Sequence, residues 1–85
     1  MKNDLIKHYL DNPEELPDRA YTTLPSDPTE VIIVVRGESG YYQYQKYPNK
    51  EVAKGTCDYF NEHYSATPEM VHALTLLSMK NSPLE

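Results

Sequence analysis

The chain has no tryptophan, one phenylalanine, one cysteine and three glycines. The lone thiol, Cys57, excludes an intramolecular disulfide. Basic residues are also scarce. Eight Lys and Arg stand against thirteen Asp and Glu, for a net charge of -5, and no run concentrates the cations. A protein that binds duplex DNA neutralises phosphates with a basic stripe and releases their counterions. Duplex DNA is therefore not an expected partner. Long apolar runs are missing as well. The longest is Val31 to Val35, far short of the ~20 residues of a spanning helix. No apolar h-region follows Met1-Lys2-Asn3-Asp4. The expectation is a cytoplasmic chain without a membrane segment, its thiol reduced.

What is present is one small domain. A chain of 85 residues buries only about 60–65% of its unfolded surface, which excludes a dinucleotide fold, a barrel enzyme or a two-domain cleft. Hydrophobic residues at 39% and charged residues at 25% are globular proportions. Leu84-Glu85 has the form of a cloning scar, so the domain is expected to span residues 1–83.

Leu5, Ile6, Tyr9 and Leu10 fall on one helical stripe, with Asn3 or Asp4 as cap and Asn12-Pro13 as stop. Prolines 13, 17, 25 and 28 forbid a long helix in the next segment. Ala20–Leu24 is the one stretch there with strand propensity, an edge strand if it pairs, and residues 26–29 read as a turn. A β-hairpin follows: Glu30–Arg36, the turn Gly37-Glu38-Ser39-Gly40, then Tyr41–Tyr47. Pairing Arg36 with Tyr41 puts Val31, Ile33, Val35, Tyr42, Tyr44 and Lys46 on one face, assigned to the core. Ile32, Val34, Arg36, Tyr41, Gln43 and Gln45 fall on the other, assigned outward. Asn49 caps a helix to about Tyr64 whose stripe is Ala53, Cys57, Phe60 and Tyr64. Gly55 inside it signals close packing or a weak first turn. Thr67 caps, and Pro68 opens, a last helix with Met70, Ala73, Leu74 and Leu77 on its buried side.

No catalytic, cofactor or metal constellation emerges. Cys57 sits on an apolar stripe, and His63 is six residues on, about 240° around the same helix, so the two cannot face each other. His8, His63 and His72 lack the spacing that places two metal ligands on one helix face. Asp11, Glu14, Glu15 and Asp18 read as a solvated loop. Residues 36–40 lack the spacing of a phosphate-binding loop. A helix-turn-helix over the last two helices would present Thr67, Pro68, Glu69 and Met70 to the groove, which is not a basic, polar set.

Eight tyrosines are the unusual feature. Tyrosine joins apolar area to a polar tip and is enriched at interfaces. The mixed face of Ile32, Val34, Arg36, Tyr41, Gln43 and Gln45 is accordingly the candidate partner-binding surface, for a protein partner or self-association.

The stretch from Arg19 to Tyr42, RAYTTLPSDPTEVIIVVRGESGYY, and the tail from Asp58 to Met70, DYFNEHYSATPEM, resemble small domains encoded on conjugative and other mobile elements of gut bacteria. The resemblance spans residues 19–80 and carries no catalytic motif. It implies an accessory role, through contacts with proteins of the element or its host.

The expected architecture is α+β: a short N-terminal helix, an antiparallel hairpin or three-stranded sheet, and a C-terminal helical pair packed on one face. The expected function is a non-enzymatic protein-interaction domain without cofactor. A nucleic-acid-associated regulator or acidic mimic is the alternative.

Overall fold

A computed structural model describes residues 2–79. The expected scar at Leu84-Glu85 lies outside them. The order is α1 (Lys2–Asp11), a 3-10 turn (Pro13–Glu15), β1 (Arg19–Leu24), β2 (Asp27–Val35), β3 (Tyr42–Lys46), α2 (Lys50–His63) and α3 (Pro68–Ser78). The strands form one antiparallel sheet in the order β1-β2-β3. The α+β class is as the sequence predicts, and Ala20–Leu24 does pair as an edge strand.

Local signals at the helix ends are realised closely. The Asn49 Oδ1 accepts from the Val52 N–H at 2.9 Å, and the Thr67 Oγ1 accepts from the Met70 N–H at 3.3 Å. Both satisfy first-turn donors that have no partner inside the helix. At the other end of α1, the Asn12 side chain donates to the His8 carbonyl at 2.9 Å. The start of α1 differs from expectation. It begins at Lys2, so Asn3 and Asp4 lie within the first turn rather than ahead of it.

Alternation along the strands divides the core in two. Ala20 and Val34 point to one face, where they meet Leu16, Ala66, and Ala73 and Leu74 of α3, with Ile6, Tyr9 and Leu10 of α1 packed alongside. Tyr21 and Val31 point to the other, against Ala53 and Cys57 of α2, with Ile33, Tyr47 and Phe60 around them. The C-terminal pair, expected together on one face, instead straddles the sheet, with α2 on one face and α1 with α3 on the other. The turn at Tyr64-Ser65-Ala66 makes this reversal. The Ala66 N–H donates to the Asn61 carbonyl at 2.7 Å and the Ser65 N–H to the Glu62 carbonyl at 3.1 Å, the paired bonds of a Schellman ending. Ser65 carries the left-handed conformation this needs, at φ 57°.

Covering both faces of β2 corrects the reading of the hairpin. Ile32 and Val34, expected outward, are fully buried, as is Val31, while Ile33 and Val35 are half-buried. A strand enclosed on both faces reads as an unbroken apolar run, and a one-sided assignment cannot describe it. Tyr42 and Tyr44, expected in the core, are exposed because β3 is an edge strand that α2 leaves uncovered. The register also differs, by two residues at the loop end, where Tyr42 faces Ile33 and not Val35, and by one residue farther along, where Gln45 and not Lys46 faces Val31. The end of β2 is held by β1 instead, through the Arg36 N–H on the Asp18 carbonyl at 2.8 Å. The connecting loop is drawn toward α3 by the Gly40 N–H on the Ser78 carbonyl at 2.6 Å. Gly37 and Gly40, at φ 86° and 82°, supply the left-handed turns. A bulge at Tyr44 completes the β2–β3 pairing. The first turn is tighter than expected, at Pro25-Ser26, with β2 starting at Asp27.

Candidate functional site

The six residues of the expected contact face do not form one surface. Ile32 and Val34 are interior. The Arg36 guanidinium is turned back on the N-terminal segment, donating to the carbonyls of Glu14 and Leu16 and to the Asp18 carboxylate. Tyr41, Gln43 and Gln45 are exposed, and Gln43 donates to the Glu30 carboxylate at 2.7 Å.

Cys57 is buried against the sheet, and burial pushes its thiol up to about 11. A thiolate nucleophile requires the opposite shift. Among the described residues no group of three or more His, Cys, Asp or Glu side chains converges to hold a metal. His8 pairs with Glu15 at 2.8 Å on the surface between α1 and the 3-10 turn. No helix of the described residues is long and apolar enough to cross a membrane.

The structure brings together a different set of residues. Because α2 and α3 sit on opposite faces and diverge from the Ser65 turn, a groove of about 1090 Å³ opens between them. Its floor is the outer edge of β1, from Tyr21 to Thr23. Its walls include Ala66, Val71 and Leu76, and its rim carries Lys50, Glu51, Lys54 and Glu62. An edge strand presents a row of N–H and C=O groups with no strand to bond them. Here one position is already taken. The Tyr21 N–H donates to the Asn61 Oδ1 at 2.7 Å, and the Asn61 Nδ2 donates to the Tyr21 carbonyl at 2.8 Å. The amide of Asn61 thus does what a paired residue of a fourth strand would do. Tyr21 bonds outward, so Thr23, two residues along the regular β1–β2 ladder, also directs its N–H and C=O outward. No side chain among the described residues, and no backbone group outside the sheet ladder, bonds them. They lie open at the groove floor.

A second surface lies around β3. Every residue of β3 is exposed. Tyr44 meets Phe60 edge-on at 5.7 Å between centroids and Tyr21 at 5.5 Å. Tyr21 stacks on Phe60 at 4.7 Å and on Tyr64 at 6.2 Å. The outer side of this cluster, with Tyr42 and Tyr59, faces solvent.

The sequence reading missed the groove residues Thr22, Thr23, Asn61, Val71 and Leu76 as a set. A signal existed for one of them. Asn61 falls at the spacing of Ala53 and Cys57, a polar residue on an apolar stripe, and such a residue is buried only with its hydrogen bonds made. Its partner is 40 residues away, so the stripe alone could not name it.

No family model, no curated protein and no solved structure matches this chain. The functional reading therefore rests on the groove and the edge it exposes.

Proposed function

We propose that this chain is a non-enzymatic interaction domain whose groove between α2 and α3 receives an extended segment of a partner protein. The observation that carries the reading is the open edge of β1 at the groove floor. Strand addition to such an edge uses backbone hydrogen bonds for affinity and flanking pockets for selectivity. The Thr23 N–H and C=O offer the first, and the walls at Ala66, Val71 and Leu76 offer the second. The rim mixes both charge signs, in keeping with an apolar centre and a polar border. The edge is short. Asn61 closes it at Tyr21 and Pro25 ends it, so the segment is held through a few residues. The resemblance to mobile-element domains points to proteins of an element or its host as the source of that segment.

Display selection of random peptides on the immobilised domain, counter-selected against Leu76→Glu, tests the proposal. Enriched peptides that bind wild type and lose binding to Leu76→Glu support it. Failure to enrich, or enrichment insensitive to the groove variant, contradicts it.

A further inference from the structure

The tyrosine surface around β3 is independent of the groove, and we infer that it is where two copies of this chain meet, edge to edge along β3. The direction of the hydrogen bonds identifies the seam. The outward bonds of Tyr21 leave Ile33 to bond Tyr42, so Gln43 next to it directs its N–H and C=O away from the sheet. A two-fold axis through Gln43 lets the two copies of that residue exchange both bonds. The same register sets Tyr42 of each copy opposite Tyr44 of the other. Both pairs are aromatic and both fall on the α2 side of the sheet, so one surface is complementary to itself, as a two-fold interface requires.

Three further observations favour a second copy as the occupant. First, the strand itself carries neither charge nor proline from Tyr42 to Gln45, the commonest guards of an edge. Lys46 beyond them is held by the Asp27 carboxylate at 3.0 Å, and the bulge at Tyr44 lies past the outward groups of Gln43. Second, the exposed fractions of Tyr42, Tyr44 and Tyr59 are 56, 42 and 62%. At ~200 Å² for each full side chain these amount to roughly 320 Å², about two-fifths of the ~800 Å² that each partner of a standard interface contributes. The β3 backbone and the exposed Gln43 and Gln45 add to it. That area suits a modest, reversible dimer. Third, assembly stops at two. The other edge, β1, is flanked by α2 and α3 and occupied at Tyr21 by Asn61, so it cannot add another sheet.

Sedimentation velocity over a concentration series tests this. The wild-type chain is expected to pass from monomer to dimer with a dissociation constant on the order of 10–100 μM. Gln43→Pro removes the outward N–H, which an edge position tolerates, along with the exposed side-chain bond to Glu30, and Tyr42→Arg breaks both Tyr42–Tyr44 pairs across the seam. Each is expected to weaken the dimer at least ~10-fold with an unchanged thermal midpoint. Should Gln43→Pro unfold the chain, Tyr42→Arg decides. A wild type that stays monomeric through ~500 μM, well above the expected constant, overturns the inference. So does a dimer that both variants leave intact. Peptide binding in the groove does not enter either readout, so this inference and the proposed function fail separately.

Discussion

The side chain of Asn61 on α2 holds both backbone groups of Tyr21 on β1, accepting from its N–H at 2.7 Å and donating to its carbonyl at 2.8 Å. This one amide fixes the helix to the sheet edge and sets how much of that edge stays open. Asn61→Leu keeps the bulk and leaves two buried backbone groups unpaired, each at a cost of ~1–3 kcal/mol. A loss of stability of at least ~2 kcal/mol is expected in urea denaturation. A loss below ~0.5 kcal/mol, typical of surface substitutions, would remove the edge clamp from the account.

Ile32 and Val34 are interior. Val34 packs toward α1 and α3, and Ile32, two residues away on β2, points to the same face. Ile32→Ala is expected to cost ~2–4 kcal/mol, the range of large-to-small core substitutions, and Ile32→Glu is expected to unfold the domain. Circular dichroism melts of both variants check this. A folded Ile32→Glu protein with a normal midpoint would mean that this face is a surface after all.

Two backbone positions offer stabilisation. Nothing lies within 4 Å of a Cβ built on Gly55, which is exposed in mid-α2. Of the two readings the sequence allowed, close packing is thus set aside. Gly55→Ala is expected to gain ~0.5–1 kcal/mol from helix propensity and reduced freedom of the unfolded chain. Ser65 sits at φ 57°, a conformation that costs a non-glycine residue ~1–2 kcal/mol. Ser65→Gly relieves that cost and gives back part of it in unfolded-chain entropy. A small rise in thermal midpoint is the expected result for each. A fall for Gly55→Ala would show that the added methyl meets a neighbour, and a fall for Ser65→Gly that the serine hydroxyl makes a stabilising contact.

Asp27 supplies a pH test. Its carboxylate accepts from the Thr29 hydroxyl at 2.6 Å and from the Thr29 N–H at 3.1 Å, and it pairs with Lys46. The Thr29 hydroxyl bond, then Lys46, lower it from 3.8 to about 2. A depressed carboxylate favours folding above its unfolded value, and that contribution disappears as pH falls from about 3.8 through about 2. Wild type should therefore lose stability relative to Asp27→Asn across that window, and the two should run parallel above pH ~5. A carbonyl-carbon NMR titration of Asp27 with a midpoint near the ordinary value would contradict the bonding described here.

Much of this fold was legible because much of it is local. Asn49, Thr67 and Pro68 mark their helix starts through bonds within one turn, and the stripe of α3 names Ala73 and Leu74 directly. The run from Val31 to Val35 named a strand but not its surroundings, because burial on one face or two depends on where α2 and α3 go. That choice is made at Ser65, whose left-handed turn no side chain announces. Tyr42 and Tyr44 read as core on hydrophobic grounds, yet they lie on an edge. The groove was invisible for the same reason. Its floor comes from β1, and its walls come from two helices set on opposite faces.

The groove reading turns on Thr23, and amide hydrogen exchange followed by NMR addresses it most directly. In the free domain, the Tyr21 N–H, held by Asn61, and the Thr22 N–H, directed at β2, are expected to exchange slowly, while the Thr23 N–H exchanges fast. On saturation with a peptide selected as above, exchange at Thr23 should slow by at least ~10-fold, with shift changes at Val71 and Leu76. A Thr23 amide already protected in the free domain, or one unchanged while the peptide perturbs other surfaces, would contradict a partner strand on the β1 edge.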